Sequence, residues 1–78
     1  MPVQVYPNPS AGEFWISCSD LNGMGSVNIY DEHGTLVINA SPVVLNEEQV
    51  YNILSPGIYV LEIIKDGQSH KARIVIYQ

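Results

Sequence analysis

Two histidines, one cysteine and eight acidic residues, together with the serines, are the groups in this 78-residue chain to weigh first for moving a proton, holding a metal or attacking a substrate. His33 falls in Asp31-Glu32-His33-Gly34, and His70 follows closely on Asp66-Gly67. Both contexts are turn-forming, so both imidazoles are expected at solvated hairpin ends. Neither stands near a Gly-x-Ser-x-Gly elbow or beside a third group that would orient it. Adjacent side chains in a tight turn, such as Asp31, Glu32 and His33, cannot converge on one ion with good geometry. EF-hand ligand spacing is also absent. Glu47-Glu48 reads as a solvated edge or loop rather than an acid pair. Cys18 has no neighbouring cation or second thiol and reads as a buried small hydrophobe. No nucleophile, base and oxyanion site converge. The expectation is a protein that is not an enzyme and has no catalytic residue, metal or cofactor.

Composition narrows the class further. One cysteine rules out an internal disulfide, so the apolar 46% of the residues must supply the stabilising core. Eight Asp plus Glu against three Lys plus Arg argue against nucleic acid, whose phosphates need a basic face, and against an anionic membrane surface. No run approaches the ~20 apolar residues of a membrane helix. Met1-Pro2-Val3-Gln4 has neither the basic region nor the apolar block of a signal peptide. If the chain is a secreted domain, its signal lies upstream in a longer protein and Met1 is an added start.

The elements that must carry any site are short runs of strand formers between turn residues, with no sustained helical period. Val3 to Tyr6 predicts a first strand, ended by Pro7 and Pro9, and Gly12 suits a positive φ. Glu13 to Cys18 predicts a second, with Phe14, Ile16 and Cys18 on one face. Asp20 to Gly25 reads as a flexible connection. Ser26 to Asp31 and Thr35 to Asn39 predict a hairpin around Gly34, with Val27 and Ile29 inward. Ser41-Pro42 should break the return strand. Val43 to Leu45 is compatible with a strand, and Asn46 to Ile53 with a strand or a short irregular turn. Gly57 to Lys65 predicts a strand with Tyr59, Leu61 and Ile63 inward. Asp66-Gly67 then turns the chain into a last strand, Gln68 to Tyr77. There Lys71 and Arg73 face solvent and Ala72, Ile74 and Ile76 face the core. The fold class is therefore all-β: one domain over residues 1–78, an immunoglobulin-like antiparallel β-sandwich of about six to seven short strands. The Cys-Trp-Cys hallmark of antibody domains is missing.

Trp15 alternates out of phase with Phe14 and Ile16. It is either covered by a second sheet or a chain terminus, which is the expected arrangement, or exposed and able to stack on a sugar or protein partner. The domain should be a monomer or a weak dimer. A dimer would form by edge pairing, because the last strand carries few charges.

Three segments, in order, resemble a known family: Tyr6-Pro7-Asn8-Pro9 with Gly12 following, Val27-Asn28-Ile29-Tyr30-Asp31-Glu32-His33-Gly34, and Pro56-Gly57-Ile58-Tyr59-Val60. The ending, Gly67 then Lys71 then Ile74-Val75-Ile76, is also similar. Together they resemble the type A C-terminal sorting domain of the Bacteroidetes type IX secretion system, from Tyr6 to Tyr77. The resemblance implies a folded address label. It is recognised by the outer-membrane translocon, exports a fused upstream cargo through the periplasm to the cell surface or medium, and is commonly removed by a sortase-like peptidase. By position, it implies partner binding through Pro56, Gly57, Tyr59 and Val60, and through Lys71, Arg73, Ile74 and Ile76. The chain departs from the family pattern in ending at Gln78 rather than lysine and in the close spacing of Lys71 and Arg73. The alternatives are a non-catalytic binding module for carbohydrate or a protein partner, centred on Trp15, and a spacer beside a secreted enzyme.

Overall fold

The computed structural model describes residues 3–18 and 20–77; Met1 and Gln78, read above as chain ends, lie outside them. The described residues fold into strands β1 (Gln4–Tyr6), β2 (Glu13–Ser17), β3 (Met24–Tyr30), β4 (Leu36–Val44), β5 (Gln49–Asn52), β6 (Gly57–Lys65) and β7 (Gln68–Ile76). Two antiparallel sheets result, ordered β1-β2-β5 and β4-β3-β6-β7. The chain changes sheet between β2 and β3, between β4 and β5 and between β5 and β6, as immunoglobulin-like sandwiches do.

Period-two alternation builds the core. Phe14, Ile16 and Cys18 from one sheet meet Val27, Ile29, Tyr59, Leu61, Ile63, Ile74 and Ile76 from the other, with Val3, Leu45 and Ile53 closing the ends. Ala72 packs against this cluster from a half-buried position. Phe14 and Tyr51 contact each other in a tilted arrangement at 6.2 Å between ring centroids. The Cys18 thiol is buried, and desolvation pushes it above its ordinary range.

The turns follow their residues. Asp31 Oδ1 accepts from the amides of His33 and Thr35, both at 2.9 Å, and Gly34 at φ +82° donates to the Asp31 carbonyl. Asp66 and Gly67 both take positive φ, the two-residue hairpin conformation that matches strand twist.

Three expectations need correction. Ser41-Pro42 does not end β4, which runs on to Val44. Pro42 is tolerated because β4 is an edge strand and the pairing slips there, with Gly25 opposite Val43 but Val27 opposite Ala40. Met24 and Gly25 belong to β3 rather than to a loop. The edge of the last strand, expected to be open, is bonded over its C-terminal half by Asn8 and Ser10.

Gly25 is required by close approach. A Cβ there would lie 2.5 Å from Leu45 Cδ1 and 2.6 Å from the Ile64 carbonyl oxygen. Because that oxygen belongs to a neighbouring strand, it cannot yield cheaply. Gly25→Ala should therefore destabilise the domain by about 1–3 kcal/mol, read as a lower urea midpoint at unchanged m-value.

Candidate functional site

The start of β6 is set by its turn. Gly57 adopts φ +155°, outside the range that side chains favour. The chain then enters β6 with Tyr59 inward and 5% exposed. Its hydroxyl donates to the Ser55 carbonyl at 2.7 Å. A buried tyrosine at a strand start, bonded back to the backbone a few residues upstream, is the tyrosine corner of immunoglobulin-like sandwiches. The Pro56-Gly57-x-Tyr59 spacing therefore has a structural cause: it fixes the corner that launches the central strand.

Pairing of β6 with β7 places Val60 opposite Arg73, Glu62 opposite Lys71 and Tyr59 opposite Ile74. The residues named above thus divide by face. Ile74 is fully buried, and Ile76 and Tyr59 nearly so; a partner cannot touch them without opening the core. Pro56, Val60, Lys71 and Arg73 are exposed, and Gly57 is half-buried. Pro56 and Gly57 also border a shallow depression of about 180 Å³ shared with Asp31, Glu32 and His33, so two of the three motifs meet in space.

The outer face of this sheet is ordered by polar contacts. Asn39 Nδ2 donates to Asn28 Oδ1 at 2.5 Å. Tyr30 donates its hydroxyl to Glu62 Oε1 at 3.3 Å, and Ser26 and Ser41 share a hydrogen bond at 2.9 Å. Lys65 is paired with Asp66 at 2.7 Å, the one ion pair among the described residues. Lys71 and Arg73 are thus the cations of an acidic domain without a carboxylate partner among the described residues. Beside them stand exposed Val60 and Ile58.

Other candidates are dispersed. His33 is exposed in the β3–β4 turn and His70 is half-buried in β7. Among the described residues no group of His, Cys, Asp and Glu could hold a metal ion. Trp15, expected to be covered, is 39% exposed. It lies on the outer face of the three-stranded sheet, between Tyr6 and Val50 in register. Tyr6 bonds to the Glu48 carboxylate, which makes Glu48 a tether as well as a solvated turn residue. Two residues that sequence reasoning did not single out also shape the site: Asn8, bonded to β7, and Tyr30, bonded to Glu62. Both lie within segments that carried the resemblance, but strand pairing across 65 or more residues assigns Asn8 its role.

The fold of the described residues is a small all-β sandwich of seven strands, with a basic pair and apolar neighbours on the outer face of one sheet. The chain belongs to the secretion system C-terminal sorting domain family, whose profile matches residues 4–77. A search of curated proteins found no match. Domains of this family are the C-terminal sorting signals of type IX secretion. They work with that machinery on an upstream cargo, marking it for the cell surface or for release across the outer membrane.

Two outcomes test this geometry. Tyr59→Phe keeps the ring but removes the corner hydrogen bond, and should cost about 1 kcal/mol by equilibrium urea unfolding. The pKa of Cys18 is raised by folding, so its contribution to stability is complete below the unfolded-state value and lost as pH rises through the folded-state value. Stability should therefore fall as pH climbs above the ordinary thiol value of 9.0, and Cys18→Ala should flatten that slope in pH-dependent urea melts.

Proposed function

We propose that the secretion machinery reads this domain through the outer face of β6 and β7. Val60, Lys71 and Arg73 are the contact residues, with Pro56 at the margin. Gly57, Tyr59, Ile74 and Ile76 serve recognition indirectly: they hold those contacts in place from the turn and the core. The observation that carries this reading is the alternation of β7. It places the two cations that form no ion pair among the described residues on the surface and Ile74 and Ile76 in the core, within one strand. In a domain of net charge −5, a local basic pair sets orientation against an acidic partner surface and repels wrong approaches.

The domain acts in this reading as a rigid label without catalysis of its own. The separation of His33, His70 and Cys18 onto a turn, an edge strand and the core supports that. A sortase-like peptidase would act on the chain between label and cargo, after the folded label has been bound.

Reversing both charges, Lys71→Glu with Arg73→Glu, should abolish surface display of a fused reporter. Stability should fall by no more than about 1 kcal/mol: exposed charges contribute little, and the main loss is the new carboxylate at position 71 facing Glu62 across the strand pair. Ile74→Ala should lower stability by about 2–5 kcal/mol and reduce display only as far as it unfolds the domain. A charge-reversed domain that folds normally and still displays its reporter at the wild-type rate overturns the assignment.

A further inference from the structure

β7 is the outermost strand of its sheet, and its free side should be a template for another strand. The backbone groups that point away from β6 belong to alternate residues. Among them, Arg73, Val75 and Tyr77 are already paired. Asn8 Nδ2 donates to the Arg73 carbonyl at 2.7 Å, and the Val75 amide donates to Asn8 Oδ1 at 3.0 Å. The Ser10 amide donates to the Val75 carbonyl at 2.8 Å, and the Tyr77 amide donates to the Ser10 carbonyl at 2.9 Å. One side-chain amide and one residue of backbone thus reproduce the donor–acceptor sequence of a neighbouring strand.

We infer that the Pro7-Asn8-Pro9-Ser10 segment is an edge guard. It closes β7 against strand addition by a second copy of the chain and holds Arg73 at its surface position. Four features fit this role. Asparagine offers a donor and an acceptor on one short, planar group; aspartate lacks the donor, and glutamine adds a methylene. Pro7 and Pro9 have no amide hydrogen, so the guard does not itself become the next open edge. The guard is also anchored in the other sheet. Ser10 is buried, its hydroxyl donating to the Glu13 carbonyl at 2.5 Å and accepting from the Gly12 amide at 3.0 Å. The Gly12 carbonyl in turn accepts from the Ile53 amide at 3.0 Å. The guarded half of β7 is the uncharged run Ile74-Val75-Ile76, the part of the strand most prone to pair; the unguarded half carries Lys71, a charge that discourages pairing.

Asn8→Ala tests the guard in the 78-residue chain. The Val75 amide should exchange about tenfold faster than in wild type, as expected for loss of one hydrogen bond of ordinary strength, while the Val27 amide in the sheet interior keeps its protection. Sedimentation should show a concentration-dependent dimer absent from wild type. Unchanged Val75 exchange with a strictly monomeric chain overturns the guard. If Asn8→Ala does not fold, Asn8→Asp decides. Its carboxylate faces the Arg73 carbonyl and is repelled, so a folded and strictly monomeric Asn8→Asp overturns the proposal. The role in positioning Arg73 rests on the recognition reading above, and reporter display separates the two. Reporter display lost with the dimer supports both, whereas a dimer that still displays its reporter at the wild-type rate keeps the guard and removes recognition through Arg73.

Discussion

Strand β6 is the constraint on which the rest of the domain depends. It pairs with β3 on one side and β7 on the other, and its inward residues Tyr59, Leu61 and Ile63 form the floor of the core. Its alternation is therefore fixed from three directions. A slip of one residue would bring half-buried Glu62 into the core and expel Leu61 and Ile63. No internal disulfide shares the burden, since Cys18 is the one cysteine of the chain, and the described residues hold no ligand cluster for a metal. A chain of 78 residues has few other reserves, which explains why the turn before β6 is so tightly specified. The tyrosine corner starts the strand in the correct phase, and the Asp66-Gly67 hairpin passes that phase to β7.

Local chemistry made much of this legible in the sequence. The inward sets of β2, β3, β6 and β7 follow from alternation alone, and the turns at Gly34 and Asp66-Gly67 follow from residue conformational preference. What could not be read locally depended on distant neighbours. Pro42 looks like a strand breaker until β4 is known to be an edge with a slipped register against Gly25. Gly25 looks like loop until Leu45 and the Ile64 carbonyl are seen to leave no room for a side chain. Trp15 was expected to be covered by a second sheet or a chain terminus, but the register places it between Tyr6 and Val50 on the outer face of the sheet whose other face makes the core.

The candidate site was legible as a string and misleading as a surface. Pro56, Gly57, Tyr59, Val60, Lys71, Arg73, Ile74 and Ile76 are close in two short segments, yet strand geometry sends alternate members to opposite sides. Tyr59, Ile74 and Ile76 are core residues, and truncating them tests stability before it tests recognition. Lys71 and Arg73 can be changed with little expected effect on stability, which makes them informative about partners. The same reasoning separates the two roles of Val60: its outer-face position beside Arg73 is available to a partner, while its backbone is committed to pairing on both sides.

A folded label has a physical advantage over a linear one of the same residues. In an extended peptide, Lys71, Arg73 and Val60 would be dispersed over many conformations, and a partner would have to order them on binding at a cost of roughly 1–2 kcal/mol per residue in backbone entropy alone. In the sandwich that ordering precedes the encounter, because cross-strand pairing holds Val60 beside Arg73 and Glu62 beside Lys71. The disadvantage is an outer strand with an apolar run close to its end. Bonding of that edge by Asn8 and Ser10, which belong to the first turn of the chain, joins the N-terminal motif to the C-terminal one in a single hydrogen-bonded unit. Motifs more than sixty residues apart thus share one structural purpose: the opening segment completes the strand that displays the basic pair.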